Sequence, residues 1–115
     1  MIIIKRMYDT DVLEKKYTVL IDRLWPRGIR KSDFNPQAWF KDVAPSTALR
    51  KWFNHDPEKW KEFKKRYKSE LSKKQDILKE LKALEAESGT LILLYAAHDT
   101  AHNNAVVLKE VLDSI

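Results

Sequence analysis

The chain alternates short, continuous apolar runs with longer stretches in which apolar residues recur every three or four positions. Ile2–Ile4 is β-branched and uninterrupted, which predicts a short buried strand. Tyr17–Leu24, "YTVLIDRL", predicts a second, closed by Pro26 and Gly28. Thr90–Ala96, "TLILLYA", is apolar on both faces, as suits a strand inside a covered parallel sheet. Asn35-Pro36 has the cap-then-proline form of a helix start, although the following "AWFKDVA" reads equally well as a strand. Ser46 can cap a short helix with Leu49, Trp52 and Phe53 on one face. Asp56-Pro57 opens a long helix with Trp60, Phe63, Tyr67 and Leu71 in one stripe. Ser72 with Gln75 resembles a capping box, which predicts a break there. A further helix carries Ile77, Leu78, Leu81 and Leu84 and stops at Gly89. Asp99 or Thr100 can cap a last helix with Val107, Leu108, Val111 and Leu112 inside.

This order predicts an α/β fold: a small, mostly parallel sheet of three to four strands covered by helices, a three-layer Rossmann-like or flavodoxin-like arrangement. Only twelve residues separate Ile4 from Tyr17, barely enough for a parallel crossover, so an antiparallel first pair is the alternative. The 115 residues fit one domain, 1–115, and no linker or repeat divides them.

Composition narrows the chemistry. There are no cysteines, which excludes disulfides, thiolate nucleophiles and Cys-ligated zinc. No apolar run approaches the ~18–20 residues of a membrane span, and "MIII" followed by Lys5-Arg6 is no secretory leader, so a cytoplasmic location is expected. The net charge of +5 has one source: residues 58–82 hold ten Lys/Arg and five Asp/Glu, and the rest of the chain sums to zero. That segment is either a solvated helix face or a nucleic-acid contact face.

The unusual residue types gather elsewhere. In an open parallel sheet, ligands bind beyond the carboxyl ends of the strands. "DRLWPRG" and "AAHDTAHNN" both follow strands, so parallel strands would bring them to one edge. A helix N-terminus favours anions, and His98, His102, Asn103 and Asn104 add donors there. With Asp99 as cap, His102 falls at the third helical position. Arg23 or Arg27 could clamp a phosphate or carboxylate, and Asp22 or Asp99 could orient a histidine or act as a base. Trp25 would line the same lip. The turn "RKWFNHDPEKW" could add Arg50 and His55 if it folds over the sheet edge. Asp22, His98 and His102 are thus the candidate catalytic groups. Arg23, Trp25, Arg27, Arg50, His55, Asp99, Asn103 and Asn104 are the candidate ligand contacts. His98 and His102 are spaced i, i+4, but no HExxH pattern accompanies them and no metal site is assigned. Each feature also has a plain structural role available: Asp22 and Arg23 as a buried pair, the histidines as cap and surface residue.

The segments "IDRLWPRG", "KDVAPSTALRKWFNHDPEKWKEF" and "LLYAAHDTAHNNAVVL" together resemble the YeaO-like proteins of the domain-of-unknown-function 488 (DUF488) family, over nearly the whole chain. The resemblance implies a small cytoplasmic α/β domain and brings no settled activity or cofactor. Larger relatives carry a strand ending "DVR..P.S", which aligns with Asp22, with Arg23 displaced by one, and with Pro26. Their first two strands are joined by a helix, which implies a parallel pair. They also carry a Cys and a Cys-His-Arg run, where this chain has Tyr95 and Asn103-Asn104-Ala105, so no thiol chemistry carries over.

Two functions follow. One is a strand-end pocket for a small anionic ligand such as a nucleotide, with catalysis left open. The other is a nucleic-acid-binding module using the Lys-rich segment 58–82. The distribution of unusual residues favours the pocket; cofactor and oligomeric state are not specified.

Overall fold

A computed structural model describes residues 1–9, 17–32 and 35–115. Four strands, β1 (Ile2–Arg6), β2 (Tyr17–Leu20), β3 (Ala38–Trp39) and β4 (Leu91–Tyr95), form one sheet in the order β1-β4-β2-β3. Every pairing is parallel. β4 sits in the middle and all five of its residues are buried, as its two-sided apolar run requires. β1 and β2 both run parallel to β4 and are not neighbours, so the antiparallel alternative is ruled out. Residues 10–16 of their connection lie outside the described residues.

The helices are α1 (Thr47–Phe53), α2 (Trp60–Ser72), α3 (Gln75–Ser88) and α4 (Asn104–Asp113). Alternation along the strands divides the core. Val19, Ile21, Leu91, Leu93 and Tyr95 face Leu49, Phe63, Tyr67, Leu78, Leu81 and Leu108 of the four helices. Leu20, Ile92 and Leu94 face Met7, Trp25, Ile29 and Trp39. The three-layer α/β arrangement is therefore present, with a helical layer on one face and, among the described residues, 310 turn and loop on the other. Phe53 stacks on Phe63 with ring centroids 4.2 Å apart, and Phe63 continues to Tyr67 at 5.8 Å. Such pairs each add about 0.5–1.5 kcal/mol beyond the area they bury.

Several local expectations need correction. Asn35-Pro36 opens no helix. Instead Gln37 bonds Thr18 through side chain and backbone, Phe40 N–H donates to Leu20 O at 2.9 Å, and the chain is drawn into β3. "AWFKDVA" is split, with strand at Ala38–Trp39 and a 310 turn at Lys41–Val43. The Ser72–Gln75 capping box does not form: Ser72 ends α2, and Gln75 donates from its side chain to Ser72 O. The break is real all the same. Ser46 does cap α1, accepting from Leu49 N–H at 3.1 Å. Asp56 caps a 310 turn at Pro57–Lys59 that runs into α2. Gly89 ends α3 at a φ of 78°, a region open to glycine without strain.

Candidate functional site

β2 stops at Leu20 because Asp22 takes over the ladder. Ile21 N–H still bonds Leu94 O at 3.1 Å. A continued parallel pair would next send Ala96 N–H to Ile21 O. Here the Asp22 carboxylate accepts that N–H at 2.9 Å. Asn104 fills the other side: its Nδ2 donates to Asp22 Oδ1 at 3.0 Å and to Ile21 O at 3.4 Å. Trp39 Nε1 donates to the Asp22 carbonyl at 2.7 Å. One residue thus joins β2, β3, β4 and the first turn of α4. The two strand-end loops meet, as parallel strands require.

The cap of α4 is Asn103, not Asp99 or Thr100. Asn103 is 2% exposed, accepts from Val106 N–H at 3.1 Å and donates to Asp99 O at 2.9 Å. Asp99 caps an earlier turn, accepting from the N–H groups of Ala101 and His102. A buried amide can bond both the helix and the preceding turn, which the sequence order of capping residues does not show. His102 consequently lies before the helix. Its Nδ1 is 2.9 Å from Asp99 Oδ2, and its ring sits edge-on to Trp60 at 5.2 Å. Hydrogen bonds from this turn hold the Asp99 carboxyl below its ordinary range.

The start of α4 is served from within by Asn103, and Asp22 reaches it only through the Asn104 side chain. Burial pushes the Asp22 carboxyl up, while the bonds from Asn104 and Ala96 and the charges of Arg50 and His55 pull it back. Neither Arg50 nor His55 is a hydrogen-bond partner of Asp22, whose carboxylate bonds Ala96 and Asn104, and the His55 ring lies 6.4 Å from that of Phe53. The turn after α1 is left-handed at Asn54 (φ 48°), the C-cap of the helix, and at His55 (φ 55°). Asparagine is a usual residue at such a helix end, so the left-handed cost of about 1–2 kcal/mol falls mainly on His55.

Arg23 turns its side chain towards the loop before α1, and its charge and that of Asp22 both act on Tyr67. Its Nη2 lies 3.5 Å from Ala44 O, a long contact, and its buried Nε has no partner. Tyr67 is fully buried, and its hydroxyl donates to Val43 O at 2.6 Å. Burial, with Asp22 and Glu70 nearby, drives the Tyr67 hydroxyl well above its ordinary pKa. Tyr67 was legible only as part of an apolar stripe; the signal was a hydroxyl in that stripe, which needs a partner when buried.

The remaining candidates lie elsewhere. His98 rests against Arg6, its Nδ1 3.4 Å from the guanidinium, and neither histidine is a hydrogen-bond partner of Asp22. Trp25 belongs to the opposite face, its Nε1 donating to Ile29 O at 2.6 Å. Arg27 is exposed, and its carbonyl accepts from Tyr8. The proposed lip is thus split three residues after Asp22. An open groove of about 520 Å³ lies between α1 and α2, lined by Ser46, Trp52, Arg66, Ser69 and Glu70 among others. It contains none of the sequence-derived candidates. Ser46 is committed there, donating to Glu70 from both N–H (2.8 Å) and Oγ (2.6 Å). Among the described residues, no three His, Cys, Asp or Glu side chains cluster as metal ligands would, and no helix is long and apolar enough to cross a membrane.

On the Lys-rich segment much of the charge is engaged. Lys64 and Lys68 both pair with Glu110 of α4, at 2.8 and 3.1 Å. Arg66 pairs with Glu62 and lies over Trp52 at 4.2 Å. Lys74 donates to the carbonyls of Asp42 and Ala44.

Comparison with known proteins places these features in a family. Residues 1–115 match the family model DUF488-N3i, described as the inactive DUF488-N3 subclade. The chain is 40% identical over 111 residues to the uncharacterized protein YeaO of Escherichia coli, covering 96% of each. It is 39% identical over 110 residues to uncharacterized proteins of Mycobacterium bovis and Mycobacterium tuberculosis, covering 96% of this chain and 92% of theirs. No solved structure matches it significantly.

Proposed function

The chain belongs to the DUF488 family, and from that premise we propose that it is a binding domain whose seam beneath the β2 and β4 ends accepts a small oxyanion-bearing molecule, a phosphate or carboxylate such as a nucleotide. The observation that carries this reading is the buried, unpartnered Nε of Arg23. A buried donor without an acceptor costs about 1–3 kcal/mol, and an anionic oxygen would satisfy it. The charge of Arg50 also acts on Asp22, drawing its carboxyl down against the effect of burial.

The same geometry supports binding without chemistry. Both Asp22 oxygens already accept hydrogen bonds, so the residue serves as a positioning group. His102 is tied to Asp99 and His98 to Arg6, so the three candidate catalytic groups make no shared constellation. The description of the matching subclade as inactive agrees with this.

The test is a thermal-shift titration with inorganic phosphate and nucleoside phosphates. Ligand at about a hundredfold excess over Kd should add about 2.7 kcal/mol to stability. Arg23→Met should abolish the response, and Lys65→Gln on the exposed helix should keep it. Absence of a shift in the wild type, or an equal shift in Arg23→Met, refutes the reading. The Lys-rich alternative has less support, since several of its cations already bond carboxylates or carbonyls.

A further inference from the structure

The residues that the seam leaves out form a surface of their own. Lys41 Nζ lies 4.1 Å from the centroid of Trp39. Lys31 Nζ sits in the elbow between the two indoles, 5.7 Å from Trp39 and 5.1 Å from Trp25. The indoles meet edge to face at 5.5 Å. Two residues on, the Arg27 carbonyl accepts from the Tyr8 hydroxyl at 2.8 Å, and the Arg6 guanidinium lies 5.0 Å from the Tyr8 ring. Cations and aromatics therefore interleave along one band, from the β3 edge to the end of β1.

The band is accessible, and acid enters it at the Arg6 end, where Asp9 lies 3.9 Å from the guanidinium and Arg6 also donates to Ala97 O. Arg27 and Lys31 are exposed, Trp25 and Trp39 are half-buried, and Tyr8 is 43% exposed. Residues 24–31 carry three Lys/Arg and no Asp/Glu, a purer run of charge than the helical segment with its five acids. The indole N–H groups are turned inward, to Ile29 O and the Asp22 carbonyl, which fixes the rings while their faces carry the lysines.

We infer that this band is a binding surface for single-stranded nucleic acid. Cations spaced along a surface follow a phosphate backbone, and the aromatic faces between them accept unstacked bases without regard to sequence. An acidic protein segment would use the cations and have no use for the rings.

The experiment measures anisotropy of a labelled oligothymidylate of about twelve nucleotides at low salt, with an abasic oligomer of equal length and polyglutamate as rivals. The intact oligomer should bind best. Lys31→Glu with Lys41→Glu should weaken it about tenfold or more and flatten the log–log salt slope by about 1.4, the share of two phosphate contacts. Tyr8→Ala, at an exposed ring, should weaken binding of the intact oligomer and leave that of the abasic one. Charge reversal at Lys64 and Lys65 should leave affinity within about twofold. Three results overturn the inference: no binding at low salt, equal binding of the abasic oligomer or polyglutamate, or indifference to both Lys31/Lys41 reversal and Tyr8→Ala.

Discussion

Asp22 and Trp25 stand three residues apart and end on opposite faces of the sheet. The first enters the helical side, where its carboxylate replaces a strand ladder and bonds Ala96 and Asn104. The second packs with Met7, Leu20 and Trp39 under the irregular layer. One side is a buried polar seam in which one guanidinium nitrogen, Arg23 Nε, has no partner. The other is a shallow band with its charge on the outside. A cluster that looks like one site in sequence is two places in space, because the chain crosses the end of the sheet between them.

The largest effect should come from breaking the seam. Asp22→Leu leaves the Ala96 N–H without an acceptor and the Asn104 amide with only its long bond to Ile21 O. We expect a loss of about 3 kcal/mol or more in urea unfolding. A loss under about 1 kcal/mol would show that the loops are held together by packing alone.

Trp25→Ala tests the other side. The indole is half-buried, bonds Ile29 O and meets Trp39 edge to face, so a cost of about 2 kcal/mol is expected. The phosphate response of the seam should survive at a temperature where the variant is folded. Its loss would mean that the two faces are coupled.

A smaller contrast separates buried from surface carboxylates. The folded pKa of Asp22 is raised above its ordinary 3.8, so the native state binds the proton more tightly than the unfolded chain. Lowering the pH from the raised value towards 3.8 therefore adds stability at Asp22. Relative to Asp22→Asn, the wild type should gain in that window, by about 1.4 kcal/mol per pH unit crossed. Lys64 and Lys68 hold Glu110 below its ordinary 4.5. The wild-type advantage over Glu110→Gln should shrink as the pH falls through that lowered value. Urea midpoints from neutral to acid pH would show opposite slopes for the two pairs. Parallel slopes would remove the distinction.

Much of this was legible in the chain. The two-sided run at Leu91–Tyr95 located the central strand, and Ser46, Asp56 and Gly89 marked helix ends that exist. The meeting of the β2 and β4 loops followed from parallel strands. What escaped was long-range choice between equal local options. Asn35-Pro36 suits a helix start, yet Thr18 and Leu20 recruit the next residues into β3. Asp99 and Asn103 can each cap, and the buried one does. Whether Trp25 turns towards Asp22 or away depends on a single bend at the end of β2, which no periodicity encodes.

Arg27→Ala has the smallest expected effect and separates the two faces most cleanly. In sequence the arginine is an equal partner to Arg23, a second fork for the same anion. In space its side chain is exposed, and only its carbonyl is engaged, by Tyr8. Removing an exposed guanidinium changes stability by less than about 0.5 kcal/mol. The backbone bond to Tyr8 survives the substitution, so the fold around the band should persist. The phosphate-induced thermal shift should match that of the wild type, because the buried donor belongs to Arg23. Oligothymidylate affinity should fall, with a salt slope shallower by about 0.7, the value for one phosphate contact. If Arg27→Ala instead removes the phosphate shift, the seam and the band are one site after all, and the bend between Asp22 and Trp25 does not divide them.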